Sequence, residues 1–585
     1  MPAHPPARPE SKPHAMTTLL AAVFPLLATV FPYASVAGAD GAATLSAEFT
    51  ARERYAVYPP GEAVRLHLKV AGHRERADTL TWTVCNFDGR DVEQGTLPVP
   101  AGDEPWEGEV QPRDHGPGYF EVHARLDGCG ATLPRTGSRP AGFVSYGVLP
   151  SIEAIPLACR DDSRFGVQGT NFIDTGEFMK GDPYAPLYRI LGVRWVNCPR
   201  KWFELEPERP GQYVPRLRPQ DYTTPCWESA NSLALLTCTE GLPTWAIDWP
   251  PGTAPNGPVT SPLCQAYPPK DFRQYADFMA KIGAEQAAMR AAQFPGLQHG
   301  HYQVHWEPDW HWKGTDEAFV KMYASAYEGL HRGDPQAVVM GPGYGVLATG
   351  VDKLEKLLPM GLGKYLDGIA THAYYIGGAK GAMQSPEDGN MVQSLRRLRR
   401  LMRTYMRPDA RLFQTEWGVD YTGISYADLT PEILRRQAAL VVRGHLICLG
   451  EGADVSFLFY TADYAGEDGF GLCFNLTMPD PSFGATHVSP KPVFMAAATM
   501  TRLLEGAKTI GPLDLGAGVN AYAFRRADRR LAAIWTADGR TRRVKLPIAG
   551  RSATVIDIMG AKTQMLTPAG VLSLDVDGNP HYVVW

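Results

Sequence analysis

Two stretches decide the reading of this chain: Tyr302-Gln303-Val304-His305-Trp306-Glu307-Pro308 and Leu412-Phe413-Gln414-Thr415-Glu416-Trp417-Gly418. In each, a short, mostly apolar run ends at a glutamate, and proline or glycine follows closely. Runs of this length read as buried strands. A carboxylate directly after such a strand costs desolvation unless it has a partner or a purpose. Six more runs of the same kind occur: Phe165 to Gly169, Val193 to Asn197, Pro243 to Asp248, Ala337 to Gly341, Gly368 to Tyr374 and Val455 to Tyr460. Helical stretches lie among them, at Asp271 to Ala292, Asp316 to Arg332, Met391 to Met406, Pro431 to Leu449 and Lys491 to Leu504. Strand–helix alternation over 151–506 predicts a (β/α)8 TIM barrel. Counting along it puts Glu307 at the end of strand four and Glu416 at the end of strand seven. The links 201–225 and 250–269 are long and Pro-rich. Such loops lie on the C-terminal face, where these barrels keep their sites.

On either side of the barrel the hydrophobic period changes to two. Val64, Leu66, Leu68 and Val70 alternate with Arg65, His67 and Lys69, and Phe120, Val122, Ala124 and Leu126 with Glu121, His123 and Arg125. Half-buried antiparallel strands give this pattern, so 40–150 reads as an N-terminal β-sandwich. Residues 507–585 read as a small C-terminal β-sandwich, with Ala537-Asp538-Gly539 as a hairpin signal between Leu531–Thr536 and Arg543–Leu546. The expected fold class is thus multidomain, α/β plus all-β. Residues 1–39 read as a signal peptide: Arg8 and Lys12, an apolar run from Leu19, then Ala37-Gly38-Ala39. An uncleaved anchor is the alternative, which Pro25, Pro32 and Ser35 weaken. The expected location is secreted or periplasmic, with no membrane span once the signal is cleaved.

The 585 residues leave room for three to four domains at roughly 150 residues each. A net charge of -5 leaves no basic footprint, so no nucleic-acid partner is expected. The nine cysteines include no CxxC, which removes the usual zinc-ribbon and thioredoxin-like signals. Export would permit disulfides, and Cys85–Cys129 is the first pair to test. The only close histidine pairs cluster around strand four without a matching third ligand, so no metal is expected. No GxGxxG, Walker or GxSxG pattern occurs, and no organic cofactor is implied.

Two glutamates at the mouth of one barrel suit glycoside hydrolysis. One carboxyl protonates the leaving oxygen; the other, about 5–5.5 Å away in a retaining enzyme, attacks the anomeric carbon. Strands four and seven face each other across an eight-stranded ring, so Glu307 and Glu416 can converge. Around them, Trp245, Asp248 and Trp249 offer indole faces and a hydroxyl acceptor. His305 and Trp306 precede Glu307, while His372 and Tyr374 end strand six. Asn197, Trp310, Trp417, Tyr460 and Asp463 are candidates for the rim. The expected partner is a carbohydrate.

Over about residues 160–505 the chain resembles the clan of retaining (β/α)8 glycosidases, and within it the β-xylosidase/α-iduronidase-like family. The likeness includes Gly192-Val193-Arg194-Trp195-Val196, Asp271-Phe272-Arg273-Gln274-Tyr275 and Lys491-Pro492-Val493-Phe494. The resemblance implies Glu307 as acid/base and Glu416 as nucleophile, with His372 or Tyr374 beside the nucleophile. Two positions depart from it. Trp306 stands where the clan usually has an asparagine that holds the sugar 2-hydroxyl, and strand eight ends in Phe457-Leu458-Phe459-Tyr460 rather than tryptophan. Trp306 leaves a catalytically inactive, glycan-binding barrel as the alternative; a polysaccharide lyase, which would need a Tyr or His base near an acidic-sugar site, is not excluded by His372 and Tyr374.

Overall fold

The computed structural model describes residues 46–51, 55–127, 142–150, 160–168, 185–213, 232–260, 262–375, 383, 385–421, 424, 429–463, 469–475, 488–527 and 529–585. Eight parallel strands close a barrel: Phe165–Val167, Trp195–Pro199, Ala234–Thr239, Gly300–Val304, Ala337–Met340, Gly368–Tyr374, Arg411–Trp417 and Val455–Leu458. The eighth pairs with the first at Ser456 and Phe165, and the fifth meets the sixth at Met340 and Gly368. Trp195, Leu236, Met340, Phe413 and Phe457 pack together inside, so the barrel has a core and not a pore.

The strand expected at Pro243 to Asp248 is corrected. Strand three is Ala234–Thr239, and Thr244–Ala246 is a 3₁₀ turn in the loop beyond it. Pro243 has no N–H to give to a ladder, whereas Leu233 to Thr239 is uninterrupted and largely apolar. Trp245, Asp248 and Trp249 thus belong to a loop.

The outer helices begin where side chains can cap them. Asp271 accepts from the amides of Arg273 and Gln274 at the start of Phe272–Gln293. Thr315 caps Asp316–Gly333, and Thr430 caps Pro431–Gly450. Among the described residues, no helix is long and apolar enough to cross a membrane.

The flanking regions are all β. N-terminal to the barrel, a three-stranded and a five-stranded sheet share one core, which includes Leu66, Leu80, Trp82 and Val122. Ser145 of this region donates to Ser489 Oγ at 2.7 Å, and Arg435 on a barrel helix donates to Phe87 O at 3.0 Å. C-terminal to the barrel lie a six-stranded and a two-stranded sheet. The expected hairpin is corrected here. Arg529–Thr536 pairs with Val519–Arg526 and His581–Val584, whereas Arg542–Pro547 pairs with Val571–Val576. Ala537-Asp538-Gly539 therefore links two sheets. Cys85 forms no disulfide, and its thiol donates to Asp91 at 3.0 Å. Cys129 and the 1–39 segment lie outside the described residues.

Beyond strand eight a buried ion pair locks the chain. Asp463 and Lys491 are fully buried and meet at 2.7 Å. Asp463 also accepts from the amides of Gly469 and Gly471 and from the Tyr421 hydroxyl. This corrects Asp463 as a rim residue: its carboxylate is consumed by structure. Removing one partner of such a pair strands the other's charge, at a cost of about 3–5 kcal/mol. Lys491→Met should lower unfolding stability by that order in denaturant titration, and adding Asp463→Asn should recover part of it. A Lys491→Met variant as stable as the wild type would contradict this role.

Candidate active site

Strict alternation along a strand sends neighbouring residues to opposite faces. Both key strands break that rule at their C-terminal ends. In strand seven, Thr371 pairs with Gln414 but His372 with Glu416, so Thr415 is an extra residue in the ladder. A bulge of this kind re-aims the side chains that follow it. Phe413 points into the barrel, and after the bulge Glu416 points to its mouth. Trp417 turns outward, 1 % exposed, and donates to Val441 O at 3.0 Å. A Cβ on Gly444 would collide with that indole, which explains the glycine. Trp417 is thereby corrected from rim to core.

At the end of strand four, His305 and Glu307 have φ of 64° and 43°. Left-handed backbone is uncommon outside glycine. It allows Trp306 and Glu307 to reach the same neighbour: the Trp306 ring packs edge-to-face on His372 with centroids 4.6 Å apart, and Glu307 Oε1 lies 2.8 Å from His372 Nδ1. The loop after strand five holds this turn, with Glu307 N donating to Gly343 O at 2.8 Å.

His372 is the hub. It is fully buried, and its Nδ1 also lies 3.7 Å from Glu416 Oε2. One donor atom from each of Glu307, His372 and Glu416 lies within 4.8 Å of the other two. Among the described residues, these three atoms are placed so that they could hold a metal ion. Gln168, just past strand one, donates from Nε2 to Glu416 Oε2 at 2.8 Å.

Burial pushes Glu416 up to about 7, and the charge of Glu307 acts in the same direction. His372, a hydrogen bond from Tyr374 and another from Gln168 oppose the rise. Burial disfavours charge on His372, but Glu416 and Glu307 outweigh it and hold the imidazole above its ordinary value.

The remaining candidates divide. Trp310 is exposed beside Glu307, and Asn197 is buried on the barrel face of strand two. Tyr374 is half-buried next to Glu416. His305 is corrected: its Nδ1 lies 2.8 Å from Gln265 Oε1, and its ring packs on Trp312 and Phe319 in the helix layer. Burial pushes His305 down to about 3. Trp245 packs on Trp202 and donates to Glu206 O, and Trp249 donates to Thr244 O. Both indoles serve the loop after strand three, where Asp248 is exposed. Tyr460 is buried at 2 % exposure. Gln168 escaped the sequence reading, although a polar side chain ending an apolar run, two residues after inward-facing Gly166, was the available signal.

The sequence matches no family model, and no curated protein matches it. Solved structures do match. A family 39 glycoside hydrolase from the gut symbiont Bacteroides cellulosilyticus WH2 is 17 % identical, with a TM-score of 0.61 over 93 % of this chain and 99 % of that one. The likeness is one of fold. Its coverage takes in the flanking β regions as well as the barrel. A conserved exported protein from Bacteroides fragilis is 11 % identical, with a TM-score of 0.52 over 73 % of this chain and 98 % of that one. The resemblance to the retaining (β/α)8 glycosidases thus holds for the architecture.

The shift on Glu416 has a consequence for stability. A carboxyl held above its unfolded value of 4.5 binds its proton more tightly when folded. Its stabilisation is fully present below pH 4.5 and is lost as pH rises through about 7. The raised His372 acts in the same sense, stabilising below its unfolded value of 6.5 and losing that contribution above its folded one. Glu416→Gln removes the first titration, so melting temperature should fall less between about pH 5 and 8 than in wild type. Parallel pH–Tm curves would refute this assignment.

Proposed function

We propose that the chain is an exported glycoside hydrolase that cleaves O-glycosidic bonds of an oligosaccharide or polysaccharide with retention. The observation that carries the reading is the approach of Glu307 and Glu416 across the barrel mouth, with atoms within 4.8 Å and His372 between them. Retaining enzymes hold their two carboxyls about 5–5.5 Å apart; inverting ones leave about 6.5–9.5 Å for a water.

In this reading Glu416 attacks the anomeric carbon as the bond to the leaving oxygen breaks. Glu307 gives its proton to that oxygen. A water then takes the leaving group's place, loses a proton to Glu307 and releases the sugar from Glu416. Glu307 suits the role that must meet exchanging water, with a side chain 21 % exposed against 9 % for Glu416. Gln168 and Tyr374 favour the ionised nucleophile. Trp306 offers a flat apolar face beside His372 where a hydroxyl-binding amide would otherwise stand. The barrel, 151–506, is the catalytic domain in this proposal, and the β regions at 40–150 and 507–585 are its scaffolds. Export rests on the 1–39 segment.

The test is hydrolysis of a panel of aryl glycosides and polysaccharides. Wild type should cleave at least one; Glu416→Gln should lose at least about a hundredfold in kcat/KM on it, and Glu307→Gln should lose as much on a polysaccharide or alkyl glycoside, whose leaving oxygen needs a proton. Chelation with EDTA should leave the rate unchanged. The acid limb of kcat/KM should lie near pH 7, where Glu416 ionises. Glycan binding without turnover, unaffected by either substitution, would favour the inactive barrel. Activity surviving in Glu416→Gln would remove the nucleophile assignment.

A further inference from the structure

We propose that Trp310 is the leaving-group platform of this site: a preset flat surface against which the departing ring stacks. The inference rests on the hydrolase reading above and adds which side of the scissile bond each tryptophan serves.

Trp310 is 49 % exposed, and among the described residues it is the most exposed tryptophan. Nothing in the core requires it there. Its position is nevertheless fixed. It lies in the short helix Pro308–His311 that leaves Glu307, and its amide donates to Glu307 O at 3.0 Å. Pro308 is buried beneath. Asp309 accepts from the amides of Gly345 and Val346, each at 3.0 Å, and so ties the helix to the loop after strand five. A Cβ on Gly345 would lie 2.6 Å from Trp310 Nε1 and 2.7 Å from Glu307 Oε1. Glycine is needed here because the indole and the acid carboxyl crowd the same point.

The chemistry then assigns a side. The leaving oxygen takes its proton from Glu307, so the group it carries lies beside Glu307 and away from Glu416. Trp306 occupies the inner side of Glu307, against His372 and the barrel core. Trp310 occupies the outer side, at the solvent rim. A held, half-exposed indole offers a wide apolar face with little ordering left to impose when a sugar or aryl ring covers it. Its exposure also suits a place that a leaving group must vacate and a water must enter.

Matched pairs of substrates test this: the 4-nitrophenyl glycoside and the glycosyl fluoride of the same sugar. Both present the same anomeric carbon to Glu416. In one the C–O bond breaks and its electron pair leaves on nitrophenolate; in the other the C–F bond breaks and the pair leaves on fluoride. Neither needs a proton from Glu307, and only the first carries a ring. Trp310→Ala should lower kcat/KM for the nitrophenyl glycoside at least tenfold more than for the fluoride, and Trp310→Phe should restore most of that difference. A thermal melt like the wild type's is the folding control for an exposed residue. An equal loss on both substrates, or no loss on either, overturns the assignment while leaving the hydrolase reading intact. A wild type that turns over neither member of any pair defeats the hydrolase reading and the assignment with it.

Discussion

Three titratable groups share a space from which most water is excluded, and the architecture of the site follows from that. Two carboxylates brought this close repel each other, and burial penalises the charge of Glu416. His372 answers the conflict: fully buried, it stands 2.8 Å from one and 3.7 Å from the other. Its charge is held by the glutamates it separates. Gln168 and Tyr374 give back to Glu416, the more buried of the pair, part of what hydration would have supplied. Any one of these side chains placed on a different strand face would leave a neighbour's charge uncompensated.

The backbone meets this demand by departing from regular strands. The extra residue at Thr415 sends Glu416 to the mouth and Trp417 into the helix layer. Left-handed conformations at His305 and Glu307 let adjacent residues Trp306 and Glu307 converge on His372. Such conformations persist only where the surroundings over-determine them. Here the bond from Glu307 N to Gly343 O, the Asp309 clamp on Gly345 and Val346, and Gln265 beneath His305 and Trp306 do so.

Those irregularities mark the limit of what was legible in the sequence. The barrel could be read because its strands are short apolar runs between long helices, and the two glutamates because each follows such a run. His372 and Tyr374 share that position at strand six. Strand three was misplaced because Pro243 to Asp248 is apolar enough to imitate a strand. Trp417 was read as a rim residue and, by strand alternation, His305 as a site residue, facings that a bulge and a left-handed turn undo. Asp463 looked available because its partner Lys491 is 28 residues away, a pairing that no local pattern reveals. Gln168 carried its signal plainly, since polar residues ending apolar barrel strands face the mouth.

In the proposed mechanism Glu416 forms a covalent bond to the sugar. The most direct measurement is mass-spectrometric peptide mapping after incubation with the 2-deoxy-2-fluoro glycosyl fluoride of the sugar the protein prefers. One added sugar per chain is expected, on the peptide that holds Glu416, with no adduct in Glu416→Gln. An adduct on another residue, or an active protein that forms none and releases the inverted anomer, would contradict it.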